Sequence, residues 1–227
     1  MKVLVTGGAG FIGRWLVKRL LNEGYRVTAL DDLSNGQLAN IEEFTTDANF
    51  TFIQGDIKDI ALLDSVFEEG FGLVYHLAAS INEQDSIDDP RTTFDNDVVG
   101  TFNVLEQCRK IGARVLFMST CMVYDRSLDE SGISETHPVK PASPYAASKL
   151  AGEALTLSYY YAYGLPAVVV RPFNTYGPFQ KASGEGGVVA IFIKRSLEGE
   201  PLNIYVEGTQ TRDLLYVEDC ADFIYRA

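Results

Sequence analysis

Short, almost unbroken apolar runs recur along the chain at intervals that leave room for a helix between them. Val3 to Thr6, Val27 to Leu30, Thr51 to Gln54, Leu73 to Leu77, Val115 to Ser119 and Ala167 to Arg171 read as strands. Such runs lack polar alternation, as suits strands buried on both faces. Between them apolar positions recur every three or four residues, which predicts helices over Ile60 to Phe67, Val98 to Ile111 and Tyr145 to Tyr163, with another around Trp15 to Leu21. Strand alternating with helix implies an α/β fold, a doubly wound parallel sheet with helices on both faces. After Arg171 the rhythm breaks. A Gly/Pro-rich stretch from Pro172 to Gly187 precedes a short helix over about Val188 to Leu197, strand-like Leu202 to Val206 and Leu214 to Val217, and a helix that reaches Ala227. The chain therefore divides into a sheet domain over 1–171 and a smaller region over 172–227. The latter belongs on the substrate side, because open α/β sheets bind ligands at the carboxyl ends of their strands.

The first strand runs straight into Thr6-Gly7-Gly8-Ala9-Gly10-Phe11-Ile12-Gly13, and a helix follows at once. Strand, glycine turn and helix in that order form a dinucleotide cradle. Gly7 allows the sharp turn, Gly10 lets the backbone approach a pyrophosphate, and Gly13 lets the helix pack close to the sheet. The helix N-terminus then offers free N–H groups and a partial positive charge to the phosphates. The spacing is GxxGxxG rather than GxGxxG, and a glycine pattern of either kind alone is weak. The second strand adds to it by ending in Asp31-Asp32, about 20 residues past the glycines, where an acid accepts hydrogen bonds from a ribose and repels a 2′-phosphate. That favours NAD over NADP.

Composition narrows the class. At 227 residues with 46% hydrophobic content the chain can fill a large core, and it shows neither repeats nor low-complexity tracts. The net charge of −12 argues against nucleic acid or an anionic membrane as a general partner. Three scattered cysteines, Cys108, Cys121 and Cys220, with no CxxC and only two histidines, His76 and His137, make neither a disulfide framework nor a metal site. A reducing cytoplasm fits best. Met1-Lys2 leads straight into a strand and no apolar run reaches about 18 residues, so neither secretion nor membrane insertion is expected.

Tyr145-Ala146-Ala147-Ser148-Lys149 sits at the start of a predicted helix, so Tyr145 and Lys149 share a face one turn apart. A lysine ammonium there favours the phenolate, and the tyrosine can then act as a base at neutral pH. YxxxK alone occurs often by chance and is equally a surface pair. Upstream, Ser119-Thr120 at the carboxyl end of the fifth strand places a hydroxyl where it can meet a substrate hydroxyl. His76 reads as a structural hydrogen-bonder. Tyr159-Tyr160-Tyr161 with Tyr163 reads as a packed, partly wet helix face.

These residues, with Gly55-Asp56-Ile57, His76-Leu77-Ala78-Ala79, Val123-Tyr124, Arg171-Pro172-Phe173-Asn174, Tyr176-Gly177-Pro178 and Arg212-Asp213, occur in the order and spacing of the extended short-chain dehydrogenases. More narrowly, the chain resembles the NAD-dependent nucleotide-sugar epimerase/dehydratase family over essentially its whole length. The resemblance implies a catalytic set of Thr120, Tyr145 and Lys149. It implies an NAD site of Gly7, Gly10, Phe11, Ile12, Gly13, Asp31, Asp32, Asn35, Asp56, Ile57, Leu77, Ala78, Ala79 and Pro172 together with Tyr145 and Lys149. It implies sugar-nucleotide contacts from Ser80, Thr120, Cys121, Met122, Asn174 and Arg212, the last also suited by its guanidinium fork to a diphosphate. Family chains commonly form a homodimer through the helices of Val98 to Ile111 and Tyr145 to Tyr163. They also continue past the position of Ala227, so the substrate-binding appendage looks incomplete.

Family members share a first step in which the tyrosine takes the proton of the sugar 4-hydroxyl as C4 is oxidised. The 4,6-dehydratases resemble one another in an Asp-Glu pair after the catalytic threonine, and the glucuronate decarboxylases in a Glu two places after it. Cys121 and Met122 stand there instead, and a methionine exchanges no protons. Epimerisation at C4 of a nucleotide-diphosphate sugar, with a UDP-sugar as the substrate the resemblance implies, is therefore the expected reaction. Cys121 keeps a dehydratase or 5-epimerase open, since a thiol of lowered pKa carries protons. A 4-ketoreductase and a non-catalytic NAD-binding sensor are the remaining alternatives. Other departures are Asp97 in place of the usual Asn before Val-x-Gly-Thr, Ile81 where some epimerases are basic, and Asp125 where Gly usually follows Val-Tyr.

Overall fold

The computed structural model describes residues 1–127, 132–182, 187–204 and 207–227. Six strands form one parallel sheet: β1 (Lys2–Thr6), β2 (Arg26–Asp31), β3 (Phe50–Gln54), β4 (Leu73–His76), β5 (Arg114–Met118) and β6 (Ala167–Val170). Their spatial order is β3-β2-β1-β4-β5-β6. The winding reverses between β1 and β4, where Thr6 pairs with His76, and this is where a crevice opens at the strand ends.

Alternation along the strands divides the core into two layers. Val3 and Val5 face α1 (Phe11–Asn22), packing with Leu16, Val17 and Leu20. Leu4 and Val74 point the other way, toward α2 (Ile60–Phe67) and α5 (Gly100–Ile111), through Leu63, Val104 and Leu105. The helix α6 (Pro144–Tyr163) lies on this second face, with Gly152 directly against the Phe117 ring of β5, where any Cβ would collide. Its start is fixed by Ser143, whose hydroxyl accepts the Ala146 N–H at 3.2 Å, and by Pro144 in the first turn.

The doubly wound parallel sheet follows the apolar runs. Three features depart from the periodicity. The predicted helix from Val98 starts instead as a π turn, Asp95–Val99, that leads into α5. Two short helices, α3 (Glu83–Asp88) and α4 (Pro90–Phe94), precede it, capped by the side chains of Asn82 and Asp89. Beyond β6, β7 (Asn174–Tyr176) pairs in parallel with β8 (Leu214–Tyr216) in a separate two-stranded sheet. The helix α7 (Val188–Glu198) and the helix α8 (Val217–Arg226) complete the tail. Of the strand-like Leu202 to Val206, residues 202–204 form no regular element, and Tyr205 and Val206 lie outside the described residues. The helix α8 packs against α1, with Cys220 and Ile224 entering the first core layer. Among the described residues no helix is long and apolar enough to cross a membrane.

Candidate active site

A cavity of about 930 Å³ opens at the switch point. Gly7, Gly10, Phe11, Ile12, Gly13, Asp31, Asp32, Asn35, Asp56, Ile57, Leu77, Ala78 and Ala79 all line it. Gly7 has φ +72°, and a Cβ on it would stand 2.8 Å from the Ala78 nitrogen; a Cβ on Gly13 would collide with the Gly7 carbonyl. Backbone thus lies against backbone, as a pyrophosphate cradle requires. The first turn of α1 has no side-chain cap and no acid, so its N–H groups and positive end face the cavity. Asp31 is buried at its rim. Its carboxylate accepts the Ala9 N–H at 3.0 Å and the Leu33 N–H at 2.9 Å, which ties the glycine loop to the loop after β2. Burial pushes the Asp31 pKa up, and those two hydrogen bonds oppose the shift. Cradle, helix end and acid together fit a dinucleotide. Tyr145, Lys149 and Pro172 stand outside this lining.

Thr120 and Tyr145 meet at the carboxyl end of β5, and Lys149, one turn further along α6, lies over the Phe117 ring of that strand. Tyr145 is 8% exposed and Lys149 3%. The Tyr145 N–H donates to Ser86 Oγ at 3.1 Å, which fixes the first turn of α6 to α3, and the side chains of Tyr145 and Thr120 share a hydrogen bond. Burial raises the phenol pKa, the charge of Asp97 adds to the rise, and the Thr120 hydrogen bond opposes it. Burial lowers the Lys149 pKa, while Asp97 and Glu153 hold it up. Its ammonium lies 4.5 Å from the centre of the Phe117 ring. His76 is enclosed, with one ring nitrogen 2.7 Å from the Thr6 hydroxyl and the other 2.9 Å from that of Thr101. Burial pushes its pKa down to about 3, so it is neutral and structural.

Cys121 and Met122 form a short 3₁₀ turn after Thr120, and the Cys121 N–H donates to the Pro172 carbonyl at 3.1 Å. Burial pushes the Cys121 thiol up, opposed by its hydrogen bond with Thr120 and by the nearby Arg212. Arg212 also lines a second cavity of about 910 Å³, with Lys194 and Arg195 from α7. Among the described residues Arg212 forms no ion pair; it donates to the Thr211 carbonyl at 2.8 Å. Asn174 is exposed on β7, with its amide 3.5 Å from the Asp213 carbonyl. Ser80 sits on the other side, accepting from Asn96 Nδ2 at 2.7 Å.

Sequence reasoning missed two groups. The first is the segment after β7: Phe179, Gln180 and Lys181 line the first cavity, and Phe179 lies 3.7 Å from the Arg14 guanidinium. Trp15 Nε1 donates to the Pro178 carbonyl at 3.2 Å, so α1 fastens this segment across the cavity mouth. No local pattern signals it. The second is Asp97, whose departure from the usual Asn was its only signal.

A glycine cradle at the switch point beside a buried tyrosine and lysine defines a nucleotide-cofactor oxidation site on an extended short-chain dehydrogenase fold. The chain belongs to the NAD dependent epimerase/dehydratase family, whose profile matches residues 3–227. Its cofactor is NAD. It is 41% identical to a UDP-glucose 4-epimerase of Mycolicibacterium smegmatis, over all of this chain and 73% of that protein. The solved structure of Pal from Bacillus thuringiensis is 65% identical with TM-score 0.96, covering 99% of this chain and 72% of that one. A Thermotoga maritima UDP-glucose 4-epimerase with UDP-glucose is 35% identical, TM-score 0.92, covering 98% and 71%. A dTDP-glucose 4,6-dehydratase from Bacillus anthracis in complex with NAD is 34% identical, TM-score 0.89, covering 99% and 70%.

Proposed function

We propose that the protein epimerises a nucleotide-diphosphate sugar, a UDP-sugar, at C4 through a 4-keto sugar. Bound NAD supplies the hydride acceptor and donor. Tyr145 takes the proton of the 4-hydroxyl and returns it, Thr120 hydrogen-bonds the same hydroxyl, and the Lys149 ammonium stabilises the phenolate. Arg212, with Lys194 and Arg195 nearby, meets the diphosphate on a chain of net charge −12. The observation that carries the reading is the tip after Thr120, where Cys121 and Met122 offer no carboxylate. Loss of water or carbon dioxide needs acid–base groups at C5 or C6, whereas C4 epimerisation needs only that the keto sugar turn over in the site. The name of the Mycolicibacterium smegmatis relative supports the same reaction and a uridine nucleotide. The reading includes a homodimer through α5 and α6, on which Phe102, Leu157 and Tyr161 are exposed.

One observation favours a second reading. The Cys121 side chain is partly buried, is hydrogen-bonded to the catalytic Thr120 and feels Arg212. Burial raises rather than lowers the thiol pKa, so in this reading Cys121 acts only as the acid: the C5 proton of the 4-keto sugar leaves to solvent, the thiol protonates C5, and water reprotonates the thiolate. Proton NMR in deuterated water with NAD, using UDP-glucose, UDP-N-acetylglucosamine and UDP-glucuronate in turn, separates the two. A C4 epimer free of deuterium is the expected result. Deuterium at C5 or C6, an alkene, or a 6-deoxy-4-keto product would transfer the reaction to Cys121.

A further inference from the structure

The π turn Asp95–Val99 carries a carboxyl group into the catalytic centre. Asp97 is 1% exposed. Its Oδ1 accepts the Ser80 N–H at 2.7 Å, and its carbonyl accepts the Thr101 hydroxyl at 2.6 Å. The other carboxyl oxygen, Oδ2, is buried and has no hydrogen-bond partner among the described residues. A buried carboxylate with an unbonded oxygen is costly, and such a cost persists where the charge has a task.

The neighbouring charges identify the task. The turn packs against α6, which presents Tyr145, Lys149 and Glu153. Glu153 is committed to Arg171 by two hydrogen bonds, at 2.8 and 2.5 Å. From the loop before α2, Lys58 acts on Asp97 but pairs with Asp56 at 2.9 Å. His76 of β4, reached through Thr101, is neutral. Glu83 of α3 also acts on Tyr145. Asp97 and Lys149 form no ion pair within 4 Å, and among the described residues Asp97 pairs with no other cation, so of the two anions that hold up the Lys149 charge it is the one not already committed.

We propose that Asp97 is the counter-ion of Lys149 and a positioning residue for Tyr145, setting the pH range over which this pair works. The inference rests on the catalytic reading of Tyr145 and Lys149 given above. A neighbouring anion raises the pKa of both groups: it keeps the buried lysine an ammonium and delays ionisation of the phenol. An uncharged residue of the same shape would move both ionisations to lower pH. Burial pushes Asp97 itself up to about 6, with Lys149 pulling the other way, so its charge develops close to neutrality.

Two measurements on the full chain test this. Carboxyl carbon NMR of protein labelled at aspartate, with the Asp97 signal assigned by its loss in Asp97→Asn, gives the ionisation midpoint without substrate. The expected midpoint is near 6, and it rises by about one pH unit or more in Lys149→Met. An equal midpoint in both proteins overturns the pairing. The second measurement is the pH profile of single-turnover C4 oxidation, followed by cofactor absorbance. In Asp97→Asn both limbs are expected to move to lower pH by about one unit. A slower reaction with unmoved limbs would leave Asp97 a structural residue only. The NMR result stands whichever sugar reacts, so failure of the C4 reading and failure of this inference are separately visible.

Discussion

Tyr145 is buried beneath the end of β5, and its burial makes the cost of ionising it a property of its neighbours. Tyr145→Phe keeps the packing and removes the proton carrier. It is expected to slow C4 oxidation by about 10²- to 10⁴-fold while calorimetry shows NAD binding within a few-fold of wild type. Equal loss of binding would make Tyr145 a scaffold residue. Asp97 carries a prediction about stability as well. Its pKa in the fold, about 6, lies above the ordinary 3.8, so folding favours the protonated form. The sign follows: stability is full below about pH 4 and falls as pH rises through about 6. Asp97→Asn removes that loss, and thermal unfolding should show a gain of up to about 3 kcal/mol at pH 7.5 and none at pH 4. A gain of the same size at both pH values would refute the assignment. The glycines, Asp31 and the Tyr145/Lys149 pair were legible in the sequence because their chemistry is tied to local spacing. The role of Asp97 was not, because it comes from the packing of a π turn on a helix far along the chain.

Elements differ in the same way. The six strands and α2 could be read from the sequence because each buries a continuous or periodic apolar surface; α6 is marked instead by its capping Ser143-Pro144 and its length, since much of its buried face is polar. The helices α3 and α4 could not, since their buried residues are Ser86 and Thr93 and no apolar stripe marks them. The strand β7 has only three residues and is held by pairing with β8, so its signal lies in its partner. The segment after β7 is the clearest case. Phe179 takes a positive φ of 71° and lies over Arg14, whose Nε donates to the Asn40 carbonyl at 2.7 Å. An aromatic residue in a left-handed conformation persists only where tertiary contacts outweigh the strain. Removing the contact should loosen the cavity mouth: Phe179→Ala is expected to weaken NAD binding roughly tenfold, as loss of about 1–2 kcal/mol of cation–π attraction implies. Titration calorimetry checks it, and an unchanged affinity would leave the stack without a part in holding the cofactor.

For the whole molecule, the exposed apolar residues that bear on the proposed dimer are those of α5 and α6. Phe102 is 45% exposed on α5, and Leu157 and Tyr161 are 41% and 80% exposed on α6. Light scattering at micromolar concentration should therefore report a dimer, and the double variant Phe102→Glu, Leu157→Glu a monomer. A monomeric wild type would show that this face stays in solvent. The remaining large-scale feature is the helix α8, which lies behind α1. Arg19 pairs with Asp222 at 2.6 Å, and Tyr25 meets Tyr225 edge to face. The helix whose first turn faces the cavity is thus seated by residues two hundred positions or more later. Contacts so distant in sequence close late in folding. During synthesis, β1 and the glycine loop leave the ribosome well before Ile224, which seals α1 on its outer side, so firm cofactor binding is expected to report that α1 and α8 have met.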